Sequence, residues 1–294
     1  MNKAETVTAL QEKTELIEEN LQRLAGAFQG PPILKEAMSY SLLGGGKRIR
    51  PLMLLASAEA CGLADQEVLD MACALEMIHT YSLIHDDLPA MDNDDLRRGK
   101  PTSHRQFGEA MAILAGDALL NEAMLLLMER YGGTSAGADA IAGIARASGK
   151  DGMIGGQVLD IESEGKEIDL DTLKEMHSNK TGALIRAALT SPWRLAGKSE
   201  SEIRKMEELG TDIGVMFQIQ DDVLDVESDA QTMGKTVGKD ARDHKSTYVS
   251  ILGLEASKEL TKDIYERVMN SVSETGPGGE QLKRLADLVY RRNH

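Results

Sequence analysis

Residues 68–84, Val-Leu-Asp-Met-Ala-Cys-Ala-Leu-Glu-Met-Ile-His-Thr-Tyr-Ser-Leu-Ile, run straight into His85-Asp86-Asp87-Leu88-Pro89-Ala90-Met91-Asp92, and this stretch decides the fold. The first part is apolar on most faces of a helix, which marks a central helix rather than a surface one. Pro89 lacks a backbone donor, and its ring would clash with the carbonyl of His85. The helix is therefore predicted to close at Asp86-Asp87, with Asp92 returning through an irregular turn. A second segment, 209–226, repeats the theme: a buried helix carrying Gln218, Asp221, Asp222 and Asp225 at offsets of three, four and seven, all on one face. One Asp-Asp pair is ordinarily a solvated helix end. Two clusters of three carboxylates, each beside an apolar run, are not explained that way, because a buried unpaired charge is costly. Two carboxylates ~4 Å apart repel by ~4 kcal/mol even at an effective dielectric near 20. The clusters call for a strong counter-charge, and hard oxygen ligands of this kind suit Mg²⁺.

The rest of the chain agrees with an all-α bundle. It has 294 residues, enough for a large core, and is read as one unit over 1–294. Aromatics are 3% of residues while Met, Ala and Leu are common, which favours helix over strand. Helical periods are punctuated by Gly30-Pro31-Pro32, Gly44-Gly45-Gly46, Gly132-Gly133 and Gly276-Pro277-Gly278-Gly279, and no strand stands out. The first helix, Thr6 to Phe28, is charged and amphipathic, not a secretory leader. No apolar run is expected to span a membrane, because 123–128 closes at Glu129. The net charge of −15 argues against a nucleic-acid partner. Cys61 and Cys73 have no metal spacing and read as buried thiols of a cytoplasmic protein.

The basic residues separate this chain from a calcium buffer. Gly44-Gly45-Gly46-Lys47-Arg48-Ile49-Arg50-Pro51 sets three cations beside a flexible turn, just before a helix whose first position Pro51 would fit. Arg97-Arg98-Gly99-Lys100 follows the first acidic cluster, Lys180-Thr181-Gly182 lies mid-chain, and Lys235, Lys239 and Lys245 follow the second. Each group alone could be a solvated face. Carboxylates that bind metal, flanked by arginines with their forked donors, describe a site that clamps diphosphates. His79 lies two turns before Asp86 on nearly the same face, where a core histidine and a site residue are equally open readings. Gln157 and Asp160 share a face as a supporting pair or a simple helix cap.

These motifs together resemble the trans-isoprenyl diphosphate synthase family, and within it the bacterial members that make farnesyl diphosphate. The likeness rests on Gly-Gly-Lys-Arg-Ile-Arg-Pro at 45–51, His-Thr-Tyr-Ser-Leu-Ile-His-Asp-Asp-Leu-Pro-Ala-Met-Asp at 79–92, Arg-Arg-Gly-Lys-Pro-Thr at 97–102, Lys-Thr-Gly at 180–182 and Phe-Gln-Ile-Gln-Asp-Asp-Val-Leu-Asp at 217–225. It spans nearly the whole chain. The resemblance implies an isoprenoid-synthase fold with a central cavity, a homodimer and Mg²⁺ dependence. It implies that Asp86, Asp87 and Asp92 on one wall, and Asp221, Asp222 and Asp225 on the other, hold the metal. Lys47, Arg50, His79 and Arg98 would bind isopentenyl diphosphate. Arg97, Lys180, Lys235 and Lys245 would contact the allylic substrate, dimethylallyl or geranyl diphosphate. Lys180, Thr181 and Gln218 would face the developing carbocation, and the departing diphosphate would take the proton. Tyr81, with Ser82 beside it, would floor the cavity and limit the product to fifteen carbons.

Three readings compete. A non-catalytic partner subunit of a heteromeric prenyl synthase would tend to lose one Asp cluster, and this chain has both. A longer product, geranylgeranyl diphosphate, needs only a deeper cavity. An all-α metal-dependent phosphohydrolase would use His85-Asp86 and further histidines as ligands, but it leaves the second cluster and 47–51 without a task.

Overall fold

The computed structural model describes residues 3–231 and 246–292. Helices dominate: α1 (Lys3–Ala27), α2 (Pro32–Leu42), α3 (Ile49–Cys61), α4 (Asp65–Asp86), α5 (Ser103–Phe107), α6 (Glu109–Tyr131), α7 (Ser135–Ser148), α8 (Met153–Ser163), α9 (Leu170–His177), α10 (Ala183–Leu195), α11 (Glu200–Gln231), α12 (Tyr248–Leu252), α13 (Leu254–Ser273) and α14 (Glu280–Arg291). The predicted all-α class is observed. α4 is the central rod, packed by α1, α2, α3, α6 and α10, and α11 lies across α10 with α13 and α14 on its far side. Met71, Ala72, Leu75 and Ile78 of α4, with Ile213, Met216 and Ile219 of α11, belong to one continuous apolar core. Burying such side chains contributes roughly 1.5–3 kcal/mol each before entropy is counted.

α4 starts on favourable chemistry. Asp65 and Glu67 lie in its first turn, and Glu67 Oε2 accepts from the Ala64 amide at 2.8 Å. It ends where Pro89 requires: Asp87 caps it, and the Asp92 amide donates back to the Asp86 carbonyl at 2.8 Å. That bond folds the acidic turn onto the helix end.

Three details depart from the sequence reading. A miniature antiparallel hairpin, β1 (Leu96–Arg97) and β2 (Lys100–Pro101), turns through Arg98 and Gly99, both at positive φ. Such a turn matches the natural twist of paired strands. Pro51 is the third residue of α3, not the first. α6 is, by length and composition, apolar enough to cross a bilayer, which corrects the expectation that no run reaches that length. It carries Asp117 and Glu122, and it packs on α4, α2, α5 and α7.

Candidate active site

The three basic residues of the glycine-turn motif do different work. Arg48, at φ 48°, turns inward: its side chain is 0% exposed, and it donates to Glu18 (2.7 Å), Glu76 (2.7 Å) and the Leu42 carbonyl (2.9 Å). Lys47 and Arg50, on either side of this left-handed residue, line a cavity of about 920 Å³ with Arg48 itself, His79, Arg98, Glu76, Phe217, Asp287 and Arg292. Arg98 comes from the tip of the hairpin. Its guanidinium lies against Gly46, where a Cβ would sit 2.5 Å from Cζ, so Gly46 leaves the room that Arg98 needs. Burial, opposed in part by Glu76 and compounded by neighbouring arginines, pushes the Arg50 and Arg98 guanidiniums below their usual range. Lys47, Arg50 and Arg98 thus set three cations on one cavity, the kind of lining that an anion can engage.

Arg50 Nη1 donates to His79 Nε2 at 3.3 Å. Burial, then Arg50 and Arg98, hold the His79 imidazole well below the ordinary histidine value, so it is neutral at pH 7. His85 Nε2 meets the Ile113 carbonyl at 3.1 Å. The Arg50 donor takes up the lone pair of His79 Nε2, so that nitrogen is not open to a metal as a phosphohydrolase ligand would be.

A second cavity, about 590 Å³, is mostly apolar. Asp86 sits on it with Tyr81, Ser82, His85, Met153, Gln157 and Val158, and it shares Arg50 and His79 with the first. The two neighbours of the first cluster part ways. Asp86 faces this cavity. Asp87, buried, accepts from Arg97 Nε at 2.9 Å and from Nη2 at 2.6 Å. Arg97 and Arg98 thus turn to different neighbours from one hairpin, Arg97 to Asp87 and Arg98 to the backbone at Gly46.

The Asp86 carboxyl is pushed up to about 6 by burial, eased by Lys180 and reinforced by Asp92. Across the site, burial raises Asp221 despite Arg292. Arg292 was not foreseen. Its Nη2 lies 2.5 Å from Asp221 Oδ1 and 2.6 Å from the Phe217 carbonyl, and its guanidinium covers the Phe217 ring at 3.9 Å. The pair Arg291-Arg292, following an amphipathic helix, reads as a solvated face from sequence alone. Asp222 Oδ2 accepts from the Tyr248 amide at 2.7 Å, which ties α11 to the start of α12, and Asp225 follows one turn further along α11.

Between the walls, α9 runs into α10 through a π-turn, Ser178–Gly182. Wide turns of this kind often mark function. The turn presents Lys180, whose Nζ pairs with Asp160 at 2.6 Å, and Thr181, whose hydroxyl donates to Gln218 Oε1 at 2.8 Å. Close approach makes the second contact possible: Gly214, one turn before Gln218, lies where a Cβ would be 2.9 Å from the Gly182 Cα. Asp160 thus anchors Lys180, while Gln157 lines the apolar cavity. Lys235, Lys239 and Lys245 lie outside the described residues.

Among the described residues, no three acidic, histidine or cysteine side chains form a ready-made metal cage. The donor set nevertheless fits Mg²⁺. Asp86 is destabilised as an anion, Asp92 adds charge beside it, and the facing wall carries Asp221. A dication that keeps positions for water and phosphate oxygen relieves such a pair without an all-protein cage.

Comparison with known proteins agrees. The polyprenyl synthetase family model matches residues 31–277. The farnesyl diphosphate synthase of Micrococcus luteus is 47% identical over 88% of this chain and 89% of its own length. That of Geobacillus stearothermophilus is 43% identical over 97% of each. The apo crystal structure of an FPP/GFPP synthase from Zymomonas mobilis superposes with a TM-score of 0.87, at 33% identity, over 97% of this chain and 99% of that one. The chain belongs to the polyprenyl synthetase family.

Proposed function

We propose that this chain is a farnesyl diphosphate synthase, acting as one catalytic unit that joins isopentenyl diphosphate to dimethylallyl and then geranyl diphosphate. The observation that carries the reading is the meeting of two unlike cavities at Arg50 and His79, one cationic and one apolar, with Asp86 at the rim of the second. The cationic cavity suits isopentenyl diphosphate, held by Lys47, Arg50 and Arg98, with neutral His79 kept in place by Arg50. The apolar cavity suits an allylic tail that enters past Asp86 and runs down α4 to Tyr81 and Ser82.

Asp86, Asp92, Asp221, Asp222 and Asp225 would hold Mg²⁺, which supplies Lewis-acid neutralisation of the diphosphate leaving group, whereas Asp87, expected from sequence among the ligands, has both oxygens engaged by Arg97. Arg97, Lys180, Lys235 and Lys245 add positive charge around the allylic diphosphate. Arg97 and Lys180 are held in waiting by Asp87 and Asp160. Charge fixed in advance where it is needed lowers the barrier to breaking the carbon–oxygen bond. The Lys180 carbonyl, the Thr181 hydroxyl and Gln218 face the allylic cation, with Thr181 oriented by its bond to Gln218. The apolar walls exclude water that would quench the cation. The alkene of isopentenyl diphosphate forms the new carbon–carbon bond, and its proton leaves to the departing diphosphate.

A second copy of the chain fits the exposed apolar face of α6, where Ile113, Leu114, Leu125 and Met128 are open to solvent. That homodimer and a cytoplasmic setting, which suits the buried free Cys61 and Cys73, complete the reading. Incubation with Mg²⁺, isopentenyl diphosphate and dimethylallyl or geranyl diphosphate, followed by mass spectrometry, tests it. The expected product has fifteen carbons. A chief product of twenty or more would reassign the enzyme to longer chains, and no condensation would refute the reading.

A further inference from the structure

His85 and Gly116 form a contact that the chemistry above leaves unused. Gly116 is buried in the middle of α6, where glycine costs about 1 kcal/mol relative to alanine in helix propensity. The imidazole of His85 occupies the place of the missing side chain. A Cβ at position 116 would overlap His85 Nε2 and come within 2.6 Å of Cδ2. The ring is held there by the Ile113 carbonyl at 3.1 Å, one turn earlier on α6. Asp117, next to Gly116, lies 3.9 Å from Nε2, and the Tyr81 ring meets the imidazole edge-on, with centroids 5.7 Å apart and planes at 79°. His85 and Tyr81 both line the 590 Å³ cavity.

We infer that Gly116 sets the width of the tail cavity by letting His85 retract against α6, so that His85 and Tyr81 together determine product length. The inference rests on the assignment of this cavity to the allylic tail. A methyl group at position 116 cannot be absorbed by backbone movement alone, because the ring is the nearer and softer neighbour. The ring must leave its seat on α6, and the cavity that it lines with Tyr81 gives it room. A narrowed cavity admits the dimethylallyl tail and not the longer geranyl tail.

Gly116→Ala, His85→Ala and the double variant test this, each assayed for product length and separately for the first condensation from dimethylallyl diphosphate. Gly116→Ala should stop mainly at geranyl diphosphate, with the farnesyl-to-geranyl ratio falling at least tenfold while the first condensation keeps most of its rate. His85→Ala should widen the cavity and release a twenty-carbon fraction. The double variant decides the route. If the ring transmits the effect, removing it restores products of fifteen carbons or more even with the added methyl group still in place. A double variant still arrested at ten carbons, or both single variants with the wild-type product profile, overturns the inference. Should Gly116→Ala fail to fold, as thermal melting would reveal, the His85→Ala product profile decides alone. Wild-type protein that condenses nothing would instead refute the function on which the inference rests.

Discussion

Arg48 and Arg50 are two residues apart in one basic motif, yet the structure gives them opposite tasks, and Arg48→Met against Arg50→Met separates them. Arg48 is 0% exposed and neutralises Glu76, itself 3% exposed. Removing one partner of a buried pair typically costs about 3–5 kcal/mol, because the other charge is stranded. The Glu18 arm is 31% exposed on its acidic side and adds under ~1 kcal/mol. Arg48→Met should therefore destabilise the fold by about 4 kcal/mol. At roughly 2–4 °C per kcal/mol for a chain of this order of size, the melting point should fall by about 8–16 °C. Glu76→Gln in the Arg48→Met background should recover part of that loss by removing the stranded charge. Arg50 differs: its Nε has no acceptor among the described residues, and Arg98 crowds it. Arg50→Met should leave stability nearly unchanged and raise the KM for isopentenyl diphosphate by about tenfold to a hundredfold, the worth of a charged hydrogen bond at ~1.5–3 kcal/mol. Urea unfolding by circular dichroism, with kinetics at saturating geranyl diphosphate, reads both quantities. A loss below ~1 kcal/mol in Arg48→Met would refute the assignment. So would a folded Arg48→Met whose KM rises as far as that of Arg50→Met.

Other outcomes follow from the same site. Asp86→Ala or Asp221→Ala should lower kcat by ~10²–10³, and chelator should abolish turnover of the wild type; full turnover in either case would remove the metal from the account. Tyr81→Ala should deepen the cavity by about one helical turn, ~5 Å, down to Met77 and Ile78, and shift products to twenty carbons. Tyr81→Phe should keep the fifteen-carbon product at no cost in stability, since the Tyr81 hydroxyl has no partner among the described residues. The pH dependence has a definite sign. The Asp86 carboxyl is raised to about 6 from an ordinary 3.8, so its ionised form opposes folding above about pH 6 when no metal is bound. Metal-free protein should gain stability as pH falls from about 6 towards 4. The rise in melting temperature on adding Mg²⁺ should be large at about pH 8 and shrink below about pH 6, and a Mg²⁺ effect independent of pH would contradict this.

The acidic clusters were legible because the helical period is regular through 218–225 and because Pro89 fixes where α4 ends. The shared cavity of His79 and Asp86 follows from the same spacing. Other parts were not. Arg48 and Arg50 look equivalent until the left-handed turn at Arg48 is seen, and that conformation carries no residue signature. The hairpin at Arg97-Arg98 is too short for a strand pattern, though Arg-Gly at its turn was a cue. Arg292 meets Asp221 from 71 residues away, a contact no local pattern encodes. The π-turn at Lys180, packed on by α8 and α11, looks like ordinary helix in the sequence. The span of α6 was hidden by Asp117 and Glu122, which interrupt a run that is otherwise apolar.

Two diphosphate pockets of different physical kind are the core of the account, one built from side-chain cations and one that needs metal. Calorimetric titration of each substrate, with and without chelator, addresses that division directly. Isopentenyl diphosphate should bind in chelator as well as in Mg²⁺ and lose that binding in Lys47→Ala/Arg50→Ala. A non-ionising thio analogue of geranyl diphosphate should bind only with Mg²⁺ and be little affected by the same double variant. Chelator that abolishes binding of isopentenyl diphosphate, or an allylic analogue that binds equally well without metal, would contradict the account.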